Sequence, residues 1–460
     1  MIDDKLKNLD GKARRNFLRW TTAMGAVLAL DRAKVLNVIA DSGGTALADD
    51  ACAVTNRSVH MVAGDGGFSW FQLLWPHTEI AKANNDGFAF HANGQAKDAT
   101  DTDKPFVYAP QSPWQNLDKR RRITAFMAGQ NQTHTPTPAS AAQLGNGVSM
   151  LAAVASIQRT TPSLLPVIAI NPLNFGTAPG APQVATVNNS DGMVQLFNSA
   201  ASKVTLSVAE DASLFEAYYK AFVGLNAAAG RPTWARPLRT GKTSANFLGK
   251  NLAAQLAPSA DDLMRYNINQ GTPNKLAEIG RALITTARAF KLGLTQSVIM
   301  PAMRDDPHGA FNDMNNLNNT VAMLGKVFDE FMNDLTATPD PLCTTRSLAD
   351  NVVMTVHGDT PKNPRDRGGW PDGTPNNSNW LYVMGNGHLK TGWFGGVRAD
   401  GSTDGFDPTT GDNVPNQQSN ATSAAAGAAV AYAVAKGDMR RVQDFYNGPS
   451  IAGIVNAAPV

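Results

Sequence analysis

Six short apolar runs, each ending in glycine or polar turn residues, constrain the fold of this chain more than any other feature. Most of them are continuously apolar and do not alternate with polar residues, as expected of strands buried on both faces. Parallel sheets contain strands of this kind, whereas a half-exposed antiparallel sheet would alternate. The six predicted strands are residues 58–63, 122–128, 165–170, 297–303, 351–357 and 379–384.

Segments with a helical pattern lie between these predicted strands. Residues 276–290 and 424–436 are two of them, and a third has a single apolar stripe. That stripe consists of Leu317, Val321, Leu324, Phe328, Phe331 and Leu335. Strands that alternate with helices predict a mostly parallel sheet with helices on both faces. The predicted fold is α/β, a three-layer α/β/α domain over residues 49–460 with a helical insertion at about 205–275.

The N-terminus has the pattern of an export signal. Residues 14–18 read Arg-Arg-Asn-Phe-Leu, the order found in twin-arginine signals, and the apolar run 21–30 is too short to span a bilayer. Residues 46–48, Ala-Leu-Ala, offer a cleavage site. We therefore predict that residues 1–48 are a leader that exports the folded protein to the periplasm or cell surface. Two alternatives stay open: an ordinary amphipathic helix, or a leader that remains uncleaved and anchors the protein.

Charge and cysteine content narrow the class of protein. The 40 Lys+Arg residues nearly cancel the 38 Asp+Glu residues, which argues against a nucleic-acid partner. The sequence contains no run of about 18 apolar residues, so no membrane-spanning helix is predicted. Cys52 and Cys343 would reach an oxidising compartment after export, where they either pair or stay as two free thiols.

Polar residues follow the predicted strands closely. Because parallel strands end at the same edge of a sheet, these side chains are expected to meet at one rim. They are Asp65, Ser69, His134, Asp306, His308, His357, Asp359, Asn386 and His388.

Carboxylates and imidazoles are ligands for zinc and for similar ions such as calcium or manganese. The candidate metal ligands are Asp306, His308, His357, Asp359 and Asp65. One or two divalent ions at this rim would clamp a phosphate or sulfate ester. Ser69 or a metal-bound water would then be the nucleophile.

A series of short motifs in a fixed order relates the chain to a known family. Residues 14–18 match its R-R-x-F-L, and 66–67 match a glycine pair after its first strand. Residues 304–308 (Arg-Asp-Asp-Pro-His) take the place of G-G-W-D-T-H, and 356–361 (Val-His-Gly-Asp-Thr-Pro) that of E-F-G-R-T-P. The chain thus resembles uncharacterised, twin-arginine-exported bacterial proteins, a domain of unknown function in the alkaline phosphatase/sulfatase superfamily. The resemblance implies an alkaline phosphatase-like fold and a metal-dependent ester hydrolase.

Several positions depart from that family's pattern. Val356 replaces a glutamate, and Asp359 replaces an arginine. Arg367, or Gly369 in another alignment, replaces a histidine, and residues 68–75 lack the usual aspartate. Valine cannot hold a cation, and an arginine at a ligand position would repel one.

These departures lead to two functions. The favoured one is a pseudoenzyme without a metal, a non-catalytic binding or assembly subunit of the cell envelope that recognises a protein or a glycan. The alternative is a metal-dependent hydrolase of phosphate or sulfate esters whose site is rebuilt from His357, Asp359 and Asp65.

Two further expectations accompany the pseudoenzyme hypothesis. Residues 70–75, Trp-Phe-Gln-Leu-Leu-Trp, offer an aromatic binding surface near the rim, or else they pack inside the protein. Asp306 and His308 would be structural and would cap the helix that starts near Asn312.

Overall fold

The computed structural model describes residues 52–82, 97–114, 117–129, 143–161, 163–171, 175–198, 251–372 and 378–457. The predicted leader at 1–48, His134 and most of the predicted insertion lie outside the described residues. Of the insertion, residues 251–275 are described and contain two short helices and the first residues of a longer one.

The described part of the chain contains both β-strands and α-helices. The strands are β1 Arg57–Val62, β2 Lys97–Ala99, β3 Phe106–Tyr108, β4 Ile123–Met127, β5 Gln143–Gly145, β6 Val148–Ser149, β7 Leu165–Ile170, β8 Ala185–Val187, β9 Thr295–Pro301, β10 Pro339–Asp340, β11 Cys343–Ser347, β12 Val352–His357, β13 Trp380–Met384, β14 Gly392–Phe394, β15 Gly396–Val397, β16 Thr403–Phe406 and β17 Asn413–Pro415. The α-helices are α1 Phe68–Leu74, α2 Thr78–Lys82, α3 Met150–Gln158, α4 Ser190–Leu196, α5 Leu252–Leu256, α6 Ala260–Arg265, α7 Asn274–Lys291, α8 Met314–Ala337, α9 Ser419–Val434 and α10 Met439–Val442.

Eight strands form the central sheet, in the order β14-β4-β13-β12-β1-β9-β7-β8. Seven of them run in one direction, and β13 runs antiparallel to its two neighbours. All six predicted strands belong to this sheet, so the prediction of a mostly parallel α/β fold is confirmed. The sequence pattern did not predict β8 and β14, which are edge strands of three residues each and too short to show a periodicity.

Helices cover both faces of the sheet and make three layers. Helices α1, α7 and α8 pack on the face that carries Val59 and Met61 of β1. Helices α3 and α9 pack on the opposite face, which carries Val62. Successive side chains of a strand point to opposite faces, so one continuously apolar strand such as β7 contributes to both cores.

Helix α9 is buried on nearly all sides because its side chains are small. Its central residues from Ala425 to Val434 are almost all alanine, glycine or valine, and they contact both the sheet and α3. Small side chains allow this helix to lie close to its neighbours. The prediction of a close-packed helix at 424–436 is confirmed, with the helix beginning five residues earlier, at Ser419.

The predicted apolar residues of the two long helices, α7 and α8, face the core as expected.

Helix α8 begins at Met314, and its N-cap is Asp313, whose carboxylate accepts hydrogen bonds from the amides of Asn315 at 3.1 Å and Asn316 at 3.0 Å. The expectation that Asp306 or His308 caps this helix is therefore wrong. Asp313 takes that role because it directly precedes the first helical residue.

Two further findings concern covalent and membrane structure. Cys52 and Cys343 form a disulfide bond, so of the two alternatives left open by the sequence the paired one is correct. The bond joins the segment before β1 to β11.

Among the helices that the structure describes, none has the length and apolar character needed to cross a membrane.

Candidate functional site

The carboxyl ends of three neighbouring parallel strands, β12, β1 and β9, form the rim where polar side chains collect. The loop after β13 does not join them, because β13 runs in the opposite direction. Asn386 donates a hydrogen bond from Nδ2 to the carbonyl of Ala349 at 3.0 Å, beside the start of β12. The prediction that Asn386 and His388 reach this rim is therefore wrong.

The glycine pair after β1 allows its loop to press against the loop after β9. A Cβ on Gly67 would lie 1.4 Å from the carbonyl oxygen of Met303, so no other residue fits there. Gly66 has φ +74°, and a Cβ on it would lie 2.8 Å from Oδ1 of Asp306. Asp65 in the same turn has φ 53° and is exposed. The two loops are thus in direct backbone contact at the rim.

Asp359 connects the loop after β12 to the same turn. Its side chain is buried, and its Oδ2 accepts a hydrogen bond from the amide of Gly66 at 3.1 Å. Gly66 therefore lies between Asp359 on one side and Asp306 on the other. The sequence prediction that Asp65, Asp306 and Asp359 gather at one rim agrees with this placement.

Four charged or titratable side chains, Lys362, Asp306, His308 and Asp372, form what we call the Lys362 cluster. The Lys362 ammonium contacts Oδ1 of Asp306 and lies 2.5 Å from Oδ1 of Asp372. His308 Nε2 lies 2.8 Å from Oδ2 of Asp306 and 3.1 Å from Lys362 Nζ. The ammonium thus stands at the centre of two carboxylates and an imidazole, where its charge is compensated.

The position of Lys362 is fixed by its backbone. Gln72 of α1, which is fully buried, donates to the Lys362 carbonyl at 3.2 Å and accepts from the Lys362 amide at 2.9 Å. The Lys362 side chain is 0% exposed, whereas those of Asp306, Asp372 and His308 are 31%, 30% and 50% exposed. The cation is enclosed, and its partners reach solvent.

The cluster contains the donor set of a metal site. Ligand atoms of Asp306, His308 and Asp372 lie within 4.8 Å of one another, and in the described part of the chain this is the group of at least three such residues that could hold an ion. Lys362, however, already lies among them. A divalent ion 4 Å from an ammonium is opposed by about 8 kcal/mol at an effective dielectric constant of about 20, before solvent screening. The residues present therefore fit an ion poorly while Lys362 is charged.

His357 lies inside the sheet, in a group of buried polar side chains. Its Nε2 is 2.8 Å from Oγ1 of Thr355, which is in turn 2.7 Å from Nδ1 of His60. Burial lowers the pKa of His357 to about 3. Burial, and then the nearby His357, lower the pKa of His60 well below its usual value. Both imidazoles are therefore neutral at pH 7.

Ser69 and the aromatic residues beside it are also interior. Ser69 is fully buried in the first turn of α1, and among the described residues its hydroxyl has no hydrogen-bond partner. Trp75 is 1% exposed and stacks against Trp114 and Phe328, each with its ring centroid 5.9 Å away. Trp70 is 5% exposed. Of the two alternatives for residues 70–75, packing inside the protein is correct, and an aromatic binding surface there is wrong.

The positions that depart from the family motifs take up structural roles. Val356 is 3% exposed in the core. The Arg367 guanidinium lies over the ring of Phe311, 4.3 Å from its centroid. The carbonyl of Gly369, the other position aligned with the motif histidine, lies 3.0 Å from Nδ1 of His308. Gly369 therefore contributes its backbone carbonyl to the rim. Arg367 packs on Phe311, in the segment before α8.

The sequence pattern did not predict Lys362 and Asp372 as members of the cluster. Both lie in the loop after β12, beyond the motif that carried the resemblance. Comparison of the chain with family models, with curated proteins and with solved structures gives no match. The resemblance to the alkaline phosphatase/sulfatase superfamily stays a prediction.

Proposed function

We propose that this protein is an exported, non-catalytic binding or assembly subunit of the cell envelope, built on an alkaline phosphatase/sulfatase-like scaffold whose metal ion is replaced by a lysine. The observation that carries the proposal is the Lys362 ammonium, which is fully buried and in contact with Asp306, His308 and Asp372. A side-chain cation in that position stabilises the rim without an ion.

The surroundings of the cluster support the absence of ester hydrolysis. Metal-assisted hydrolysis needs an ion and a nucleophile that meets the substrate. Ser69 is fully buried, and the Asp359 carboxylate is directed to the amide of Gly66. His357 is enclosed next to Thr355. Exposed polar groups at the rim, with Asp372 and His308 among them, are instead open to a binding partner.

The alternative is a metal-dependent hydrolase of phosphate or sulfate esters. One observation favours it: Asp306, His308 and Asp372 supply three ligand atoms within 4.8 Å of one another. These residues would hold zinc, calcium or manganese if the Lys362 side chain moved away from them. Asp306, His308 and Asp372 would serve as the ligands of such an ion, which would supply Lewis-acid polarisation of the ester.

Metal analysis of the purified protein, together with hydrolysis assays, separates the two functions. We expect well under one equivalent of zinc, calcium or manganese, and no cleavage of p-nitrophenyl phosphate or p-nitrophenyl sulfate, with or without added ions. Asp306→Ala should then change neither result. Ester cleavage that is lost together with bound metal in Asp306→Ala would establish the hydrolase and overturn the proposal.

The binding role and the location need their own tests. Cross-linking of cells that express the protein should capture an envelope component, and Asp372→Asn with His308→Gln should reduce its yield while Lys326→Gln on α8 leaves it unchanged. Replacing Arg14 and Arg15 by lysine should hold the protein in the cytoplasm, because the export route requires the arginine pair. Normal export of that variant would contradict the predicted location.

A further inference from the structure

A cavity of about 440 Å³ lies at the carboxyl ends of β7, β8 and β9, next to the Lys362 cluster but separate from it. Helix α7 closes one side with Lys275, Glu278, Ile279 and Ala282, which follow helical spacing and share one face. Small-molecule sites in proteins typically measure about 300–1,000 Å³ and occur at this edge of open α/β sheets. The cavity has the size and the place of a ligand site.

The floor of the cavity is apolar, and its rim is polar. Ile170, Ile279 and Ala302 are each at most 3% exposed and form the floor. Asn188 and Lys275 at the rim are exposed. A ligand that fits would therefore have an apolar body with a polar group at one end.

Arg304 supplies the group that would hold the polar end. It follows β9 and lines the cavity, and its buried Nε has no hydrogen-bond partner among the residues that the structure describes. A buried N–H without an acceptor is costly. The planar guanidinium matches the two oxygens of a carboxylate, which can accept two parallel hydrogen bonds.

The charges of the lining select a monoanion. Of the described lining residues, Lys275 lies 3.6 Å from Oδ1 of Asp305 and Glu278 is offset by Arg281, which leaves the single positive charge of Arg304. Glu278 already accepts a hydrogen bond from the Ser190 hydroxyl at 3.0 Å and lies 3.6 Å from Arg281. The negative charge of Glu278 therefore needs no amino group of a ligand to compensate it. A phosphate dianion would leave one negative charge uncompensated in the cavity.

We propose that this cavity binds a small aliphatic monocarboxylate, with its carboxylate on Arg304 and its apolar body on Ile170 and Ile279. This inference goes beyond the function proposed above and does not depend on it. Among the described residues of the lining none is aromatic, so they offer a sugar ring no surface on which to stack.

Calorimetric titration of the full-length protein with 4-methylpentanoate tests the proposal. The wild type should bind it at one site with a dissociation constant of about 1 mM or lower, the range expected for a ligand of this size. Arg304→Gln should weaken binding at least about tenfold, since a charge-assisted pair is lost. Ala282→Leu, which narrows the cavity from α7, should also weaken it.

Matched variants and ligands show whether the carboxylate itself is recognised. Lys291→Gln, an exposed position at the end of the same helix, should leave the affinity within about twofold. The neutral 4-methylpentanamide and inorganic phosphate should bind much more weakly than the acid, and circular dichroism should show that each variant is folded. Equal binding of acid and amide, preference for phosphate, unchanged affinity in Arg304→Gln, or no saturable binding of 4-methylpentanoate would each overturn the proposal.

Discussion

Two clusters of charged side chains lie at opposite ends of the parallel strands of the central sheet, and they differ in how far their members are exposed to solvent. At the amino end of β1, Arg57 lies 2.9 Å from Oδ2 of Asp340, and the two side chains are 1% and 0% exposed. Asn351 donates to the same carboxylate at 2.8 Å and accepts from Lys436 at 2.7 Å. We call these four residues the Arg57 cluster. At the carboxyl edge, the Lys362 cluster encloses its cation but exposes its acids.

The difference indicates which cluster can exchange its partners. In the Arg57 cluster both members of the ion pair are removed from water, so breaking it leaves a buried charge. In the Lys362 cluster the carboxylates of Asp306 and Asp372 are about one third exposed and can be hydrated if the ammonium is removed. The first cluster is structural, and the second is open to ligands.

The largest expected effect comes from breaking the Arg57 cluster. Asp340→Ala leaves the Arg57 guanidinium buried without its carboxylate, which should lower the free energy of unfolding by about 3–5 kcal/mol. Urea denaturation measures this loss. Asp191→Ala, at an exposed position of α4, is the matched control and should change stability by less than about 0.5 kcal/mol. A loss below about 1 kcal/mol in Asp340→Ala would contradict the structural role.

A smaller loss is expected when the Lys362 cluster is broken. Lys362→Met removes the ammonium, but water can reach the two carboxylates, so the free energy of unfolding should fall by about 1–3 kcal/mol. Lys326→Met is the control, since Lys326 is 48% exposed and pairs with Glu330 on the surface of α8. A loss as large as that of Asp340→Ala would show that water is excluded equally from both clusters, which would contradict the difference between them.

The buried histidines give the smallest effect and a check of pH dependence. Burial lowers the pKa of His77 to about 3, so the unfolded chain takes up a proton below pH 6.5 and the folded one does not. Its stabilising contribution is complete above pH 6.5 and falls by about 1.4 kcal/mol per pH unit toward pH 3. Between pH 6.5 and 5.5, His77→Phe should lose about 1 kcal/mol less than the wild type in urea denaturation. Equal losses would show that His77 is protonated in the folded protein.

Other histidines act in the same direction as His77. Burial lowers the pKa of His388 to about 4 and that of His357 to about 3. The wild type should therefore lose stability steadily below pH 6.5. His77→Phe should remove only the part of that loss that comes from His77.

The sequence predicted the strands well because many buried parallel strands are continuously apolar, as in β7. It did not predict the direction of β13, which is equally apolar, since local composition does not determine which way a strand runs. For this reason His388 was expected at the carboxyl ends of the parallel strands, whereas it lies at their amino ends.

The candidate site was predicted in part, for a similar physical reason. Asp306 and His308 stood out because two ligand-type residues follow a strand at close spacing. Lys362 and Asp372 did not, since a lysine in a polar loop is usually solvated, and the burial of this one depends on tertiary contacts that the local sequence does not show. Five of residues 70–75, all but Gln72, are apolar in any setting, so their sequence could not distinguish a surface from a core.

Zinc titration of the wild type and of Lys362→Met tests the central claim that a lysine stands where a metal ion would bind. The wild type should bind no stoichiometric zinc at micromolar concentrations. Lys362→Met, which leaves Asp306, His308 and Asp372 without a competing cation, should bind about one equivalent, and Lys326→Met should behave as the wild type. One full equivalent of zinc bound at this rim by the wild type, or none bound by a folded Lys362→Met variant, would contradict the account.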